Sequence, residues 1–377
     1  MNGSELFSFN LLGIAVLIHI AFVNITMGTG FISAMARFLA WRRSDPGLEI
    51  MSRRVFKILI VHELFSGVWG TVITVVLAAF FPTLLAIAVD VMFFPLLIAL
   101  SAIIIRIPTI ALFWYTWGKV EPRIHSVIGF VMALSGFAVP MGFRYIFAEI
   151  TYPHGVSLAL QNLKDAARLE VFTNPLYPPL ILHTWAGALS IGGFITASFF
   201  TIKGNLSPKF LWIGLWHGVI FLAVQPFIGL WYLTSLGTYA RVIYNNVLGT
   251  VHATFNLLPM FGLKIAAFAG LAVFSALVWR RVKRGEGSAP RYALVLGPLA
   301  MLIVLVGELI NDAGRYPFLV LLGDTGLPPS VFSNLYIQIP YPLVLAILSG
   351  LVVFLFGFML TVYYALNKRF LVDLPEV

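Results

Sequence analysis

The chain has 377 residues, of which 60% are hydrophobic and only 10% are charged, and its mean hydropathy is +0.96. A soluble globular domain carries about 25% charged residues, so this composition excludes a soluble enzyme, a nucleic-acid-binding protein and a disordered chain. The net charge of the chain is +9, and in a protein this apolar an excess of basic residues usually lies in the cytoplasmic loops. The chain has no cysteine, which excludes disulfides, thiolate metal sites and cysteine-linked heme.

Nine apolar stretches are each long enough to cross a bilayer, which requires about 20 residues of helix. They cover residues 6–36, 56–80, 93–117, 124–147, 176–202, 209–236, 256–280, 292–313 and 340–366. The second and third are joined by an apolar link that contains proline, Phe81 to Met92. The sequence therefore predicts one all-α integral membrane domain over residues 1–377. The first helix is expected to be retained, because it lacks the basic start and cleavage site of a signal peptide.

The positive charges predict the orientation of these helices, because lysine and arginine concentrate in cytoplasmic loops. Of the 24 basic residues, 17 fall in one set of loops, five fall in the opposite set and two fall inside spans. The bias alternates correctly along all nine stretches. We therefore expect the N-terminus outside and the C-terminus inside, in a multi-pass protein of the cell (cytoplasmic) membrane.

Three outside segments have their own pattern. Residues 150–175 form an outside loop in which residues 156–171 have the apolar spacing of an interfacial amphipathic helix. Residues 237–255, between helices six and seven, are mixed polar and apolar, and residues 316–339 read as a loop rich in proline and glycine.

Among the histidines that fall inside spans, where a polar side chain is costly, two are candidate heme ligands. His19 is in the middle of the first helix, before the small residues TMGTG, and His183 is two turns into the fifth. Neutral imidazole is a common axial ligand of heme iron. The alternative is a histidine that is hydrogen-bonded to a neighbouring helix. The small residues after His19 suit the close approach of either a flat macrocycle or another helix.

Charged residues gather near the predicted outer ends of helices seven and eight. Glu308 and Asp312 are four residues apart, on one face of helix eight. A carboxylate here suits iron ligation or proton transfer, and the alternative is an ion pair between Asp312 and Arg315. Lys264, in helix seven, suits the balancing of a heme propionate or a quinone oxygen, and the alternative is that it snorkels to the surface.

The order of these features resembles subunit I of the cytochrome bd quinol oxidases over roughly residues 6–369. The helix of His19 with its TMGTG run is similar to the first helix of that family. FSGVWGTV is similar to the G-V-x-x-G turn of its second helix, and WGKV is similar to the Gly-Lys at the inner end of its third helix. NPLYPPLILHT, which contains His183, and AGRYPF, which contains Arg315, resemble two further motifs of the family.

The resemblance implies roles for these residues. His19 would ligate a heme of the oxygen-reducing pair, and His183 would ligate the low-spin heme b. Asp312 stands where the family has a glutamate ligand, with Glu308 one turn earlier as the alternative. Arg315 and Lys264 would balance heme propionates.

Several features depart from the family pattern. Residues 95–105 contain none of the helix-three carboxylates that carry protons, and the basic Arg106 follows instead. The quinol-binding loop is reduced to about 20 residues. In helix seven, Ala266 stands where the family has a methionine ligand, which leaves Met260 and His252 as candidates for the sixth ligand of the low-spin heme.

The leading hypothesis is a heme-binding membrane subunit that moves electrons from quinol toward oxygen or another acceptor. Its cofactors would be heme b and a second and third heme of b or d type, and its partners would be quinol, the lipid bilayer and a second membrane subunit. Whether it is a quinol:oxygen oxidoreductase is a separate question. The alternatives are a proton-coupled transporter without heme, in which histidines relay protons, and a structural membrane subunit without a cofactor.

Overall fold

The computed structural model describes residues 2–159, 170–202, 208–284, 291–333 and 340–369. Its helices are α1 (Gly3–Arg43), α2 (Pro46–Phe80), α3 (Pro82–Val91), α4 (Phe93–Tyr115), α5 (Pro122–Thr151), α6 (His154–Ala159), α7 (Tyr177–Ile202), α8 (Pro208–Tyr239), α9 (Arg241–Leu248), α10 (Leu258–Lys283), α11 (Leu296–Ala313) and α12 (Tyr341–Arg369). The predicted all-α membrane class is confirmed.

Eight helices of the described chain are long and apolar enough to cross a membrane, and they match the first eight predicted spans. The eighth combines α11 with a preceding 3-10 turn, Arg291–Val295. The ninth predicted span falls on α12, where the described side chains give an apolar segment over Tyr341–Gly350. The count of nine and the orientation stay predictions.

The first two helices are longer than their apolar stretches. At the start of α1, the Asn2 side chain accepts a hydrogen bond from the backbone N–H of Glu5 at 2.9 Å, and the Glu5 carboxylate accepts one from the N–H of Asn2 at 3.1 Å. Asp45 caps α2, which begins ten residues before the predicted span. The hydropathy boundary was wrong here because a helix continues past the membrane core as long as its backbone groups are paired.

Three connections have more structure than the sequence predicts. The apolar link between the second and third spans is the helix α3, which begins at Pro82, a residue that suits the first turn of a helix. The segment 237–255 contains α9, and the loop 316–339 contains an antiparallel hairpin of β1 (Val320–Leu322) and β2 (Thr325–Leu327). The predicted amphipathic helix over 156–171 falls largely on residues 160–169, which lie outside the described residues.

Glycines set the closest approach of the central helices. A Cβ on Gly28 of α1 would come within 2.1 Å of the Ala188 carbonyl oxygen of α7, and one on Gly192 would come within 2.5 Å of the Gly28 Cα. The TMGTG run therefore serves helix packing, which was one of the two roles that the sequence left open. This crossing fixes the helices of His19 and His183 against each other.

We expect Gly28→Ala to lower the stability of the protein by about 1–3 kcal/mol, because α1 and α7 must separate to admit the methyl group. Gly13→Ala in the same helix is the matched control, since no atom lies within 4 Å of a Cβ there. The thermal unfolding midpoints of both variants in detergent test this. Equal midpoints would refute the tight crossing.

Candidate functional site

A cavity of about 470 Å³ opens between α1, α5, α7, α8, α10 and α11 on the predicted outer side. Its wall is mainly leucine, isoleucine, valine and phenylalanine, and its polar lining includes Asn24, Arg144, His183, Gln225, Tyr232, Lys264, Glu308 and Asn311. Small-molecule and cofactor sites in proteins typically have about 300–1,000 Å³ with a few polar groups on apolar walls. The cavity thus has the size and chemistry of a cofactor site.

His183 of α7 is the histidine that faces this cavity. Its Nδ1 is buried and has no hydrogen-bond partner among the described residues. Gln225 of α8 donates to the His183 backbone oxygen at 2.9 Å, and a Cβ on Gly229 would lie 3.7 Å from the imidazole Cε1. The α8 wall therefore leaves room beside the ring. A buried unpaired nitrogen is costly, and a bound group can compensate that cost.

Charged side chains from three helices share the cavity with His183. Arg144 of α5 and Glu308 of α11 are 3.9 Å apart, and Asn311 donates to Glu308 at 3.3 Å. Lys264 of α10 lines the same cavity, and it makes neither a hydrogen bond nor an ion pair within the described residues. The predicted residues His183, Lys264 and Glu308 are thus brought together.

Asp312 and Arg315 lie just beyond this cavity. Within the described chain they do not form the ion pair that was the alternative to a ligand role, and Asp312 Oδ2 and Arg315 Nη1 are both buried without a partner. Arg315 donates to Thr151 Oγ1 at 3.4 Å and to the Asn311 oxygen at 3.5 Å. Burial lowers the pKa of Arg315, because the guanidinium loses its water. An anion beside it would relieve that cost.

His19 of α1 contacts α2. Its Nδ1 lies 2.9 Å from the Ser66 carbonyl oxygen, and a Cβ on Gly70 would lie 3.2 Å from its Cε1. Since a carbonyl oxygen can only accept, Nδ1 carries the proton and Nε2 keeps its lone pair. This is the tautomer and the backbone contact that orient a metal-ligating histidine.

The two candidates for a sixth ligand lie away from the cavity. Met260 packs in the apolar cluster around α8 and α9, and His252 is exposed in the connection before α10. Neither is among the described residues that line the cavity, and Ala266 is exposed on another side of α10. The cavity-facing side of α10 includes Lys264 and Phe268, which are one turn apart.

An ion pair between α2 and α4 was missed from the sequence. Arg106 Nε and Nη2 donate to the two carboxylate oxygens of Glu63, each at 2.7 Å, and Nη1 donates to the Met132 oxygen at 3.1 Å. A Cβ on Gly136 would collide with Nη1 at 2.0 Å, so this glycine makes room for the guanidinium. A charged residue inside a span does predict a partner, but nothing local identifies one 43 residues away.

Two further histidines on the α1–α5 side have structural contacts. His125 is fully buried, accepts from Arg37 Nε at 2.9 Å, and lies with Nε2 2.9 Å from the Phe113 oxygen. His62 contacts the Ile58 oxygen through Nδ1 at 2.7 Å. Both rings are thus held by the bundle itself.

The remaining two histidines differ in setting. His154 forms an ion pair with Glu170 at 2.9 Å outside the spans. His217 of α8 lies between the rings of Phe31 and Phe221, and its Nε2 is buried without a partner in the described chain. It is separate from the cavity of His183.

Comparison with known proteins bears on both histidine sites. A family model described as cytochrome bd terminal oxidase subunit I matches residues 10–242, which is more than half of the chain. The matched residues contain His19 and His183 and end before α10. The fold is also similar to the structure of bd oxidase from Geobacillus thermodenitrificans. The superposition covers 98% of this chain and 100% of the matched oxidase chain, with a TM-score of 0.82 and 19% sequence identity. At that identity the likeness shows the fold.

Opsin Rh6 from Drosophila melanogaster is 23% identical over 165 residues, which are 40% of this chain and 41% of the opsin. The chain thus spans less than half the length of that curated relative. At this identity and coverage the similarity assigns neither a ligand nor an activity.

We expect Glu63→Leu and Arg106→Met to cost about 3 kcal/mol of stability each, because either change leaves one buried charge unpaired. The double variant should be more stable than both single variants, since it removes the two charges together. Unfolding in detergent measures this cycle. Asp324→Asn, which breaks the exposed pair with Arg241, is the control and should cost less than about 1 kcal/mol. Additive losses in the double variant would contradict the pairing.

Proposed function

From the membership of this chain in the cytochrome bd terminal oxidase subunit I family, as a heme-binding, multi-pass membrane subunit for electron transfer, we propose a site for one heme. His183 ligates a heme b in the cavity between α7 and α10. A bound heme supplies reversible one-electron chemistry, while the protein supplies ligation, orientation and a low-dielectric surrounding. The transporter and the cofactor-free structural subunit are not favoured by this family membership.

The observation that carries the proposal is the His183 imidazole at the edge of an apolar cavity, with a buried Nδ1 that has no hydrogen-bond partner in the described chain. His125, by contrast, has both ring nitrogens paired, and His217, whose Nε2 is also unpaired in the described chain, is not among the residues that line the cavity. At Gly229 the α8 wall carries no side chain, and a Cβ there would only come into ordinary contact with the ring, at 3.7 Å from Cε1. Together these features fit an axial ligand with space for a macrocycle.

We assign a second heme, of b or d type, to His19. Its Nδ1 is committed to the Ser66 carbonyl, so Nε2 is the nitrogen that would meet iron. A third heme would take Asp312, whose Oδ2 is unpartnered in the described chain. Glu308 is the weaker candidate, because Arg144 and Asn311 already engage its carboxylate.

Cations around the cavity suit the propionates of these hemes. Arg315 has a free Nη1 among the described atoms, and Arg144 reaches the same space with only a long contact to Glu308, at 3.9 Å. Guanidinium groups recognise carboxylates with paired hydrogen bonds. Lys264 lines the same cavity, where it would serve either as a counter-ion of a propionate or as a ligand of the heme iron.

We further propose that quinol is the electron donor and oxygen the acceptor, in a complex with a second membrane subunit in the cytoplasmic membrane. The outward faces of α2 and α4 are apolar, with Val68 60% and Ile104 71% exposed, and would contact lipid or that subunit. Because segment 237–255 is short, we propose that the quinol contacts lie elsewhere than in a long outside loop.

His183→Ala and His19→Ala should each lower the heme content of the purified protein by one heme per chain, because each removes one axial ligand. The pyridine hemochrome assay and reduced-minus-oxidised spectra measure the stoichiometry. His154→Ala, outside the spans, is the matched control and should keep the full content. Unchanged heme in both test variants would remove the ligand assignment.

A further inference from the structure

Lys264 is a cation in the wall of an apolar cavity. It lies on the face of α10 that also presents Phe261, Ile265 and Phe268 to the space beside His183. These positions follow helical spacing, so the lysine points where its apolar neighbours point. Lys264 therefore does not snorkel to the membrane surface, which was the structural alternative from the sequence.

The amine of Lys264 has no partner within hydrogen-bonding or ion-pair distance in the described chain. Glu308, the carboxylate of the same cavity, pairs instead with Arg144 at 3.9 Å and accepts from Asn311 at 3.3 Å. An unpaired charge inside a membrane protein is costly and marks a functional group. The lysine thus requires a ligand that the protein itself does not supply.

Two glycines of the cavity wall lie beside the side chains of Lys264 and His183. A Cβ on Gly307 of α11 would lie 3.0 Å from Lys264 Nζ, and one on Gly229 of α8 would lie 3.7 Å from His183 Cε1. A larger residue at position 307 would push the amine out of place. The amine of α10 and the imidazole of α7 are therefore two nitrogen donors in the walls of one cavity.

We propose that Lys264 Nζ is the second axial ligand of the heme that His183 holds, an inference that rests on the proposed function. Met260 and His252 are not among the described residues of the cavity, and Ala266 has no donor atom. Lys264 and His183 are the nitrogen donors that the cavity brings together without another strong partner.

Ligation by lysine has a defined chemical balance. The ammonium releases one proton, to solvent or to Glu308, and the lone pair of Nζ forms the bond to iron, which does not change its oxidation state. A counter-ion role needs only the positive charge. Arginine keeps that charge but cannot lose its proton, so Lys264→Arg separates the two roles.

The test compares the heme-loaded full chain with its Lys264→Arg, Lys264→Met and Met260→Leu variants. Electron paramagnetic resonance and near-infrared magnetic circular dichroism report the spin state and axial ligands of the ferric heme. The His19→Ala, Asp312→Asn background removes the signals of the other two proposed sites. We expect a low-spin heme with two nitrogen ligands in the parent protein and in Met260→Leu.

Lys264→Arg should retain the heme but convert it to the high-spin form, and added imidazole should restore the low-spin form. Lys264→Met should stay low-spin with a higher reduction potential, because a thioether favours the ferrous state.

Low-spin heme with unchanged ligand signals in Lys264→Arg would overturn the inference while leaving His183 ligation intact. A high-spin Met260→Leu would overturn it in favour of Met260. No heme in the parent protein would instead refute the proposed function.

Discussion

Every charge inside this apolar bundle must meet an opposite charge, a hydrogen bond or a bound group, because the membrane interior offers no water. Glu63 and Arg106 satisfy this requirement with two hydrogen bonds of 2.7 Å. The outer cavity does not satisfy it from protein atoms alone. There His183 and the neighbouring Asp312 and Arg315 keep buried donor or acceptor atoms without hydrogen-bond partners in the described chain. This imbalance is what a heme with its iron and its propionates would complete.

The fold places these groups by close helix packing rather than by loops. The crossing of α1 and α7 at Gly28 and Gly192 fixes the two histidine helices, and α8 then packs on α7 through Gly193 and Gly218. Large apolar side chains fill most of the remaining space and also form most of the wall of the cavity, which a few polar side chains enter. A rigid scaffold of this kind suits electron transfer, since the positions of the ligands do not have to change.

Hydropathy predicted the positions of eight apolar helices, because bilayer thickness fixes the length of a span, but it missed the polar extensions of α1 and α2 beyond the membrane core. It failed at α3, where Pro82 was taken as part of a link although proline also begins helices. The side-chain pairs were beyond the sequence, since Arg37 and His125 are 88 residues apart. One part of the site was within reach: helical spacing puts Lys264 with Phe261 and Phe268, and Ala266 on another face.

Membership of the cytochrome bd terminal oxidase subunit I family and the geometry of His183 support the same account, that this chain holds heme in its outer cavity. The most direct test is the pyridine hemochrome assay on the purified wild-type protein, together with its dithionite-reduced minus oxidised spectrum. The account predicts heme b at one or more per chain, with bands that appear on reduction. A purified, folded protein without heme bands would contradict it.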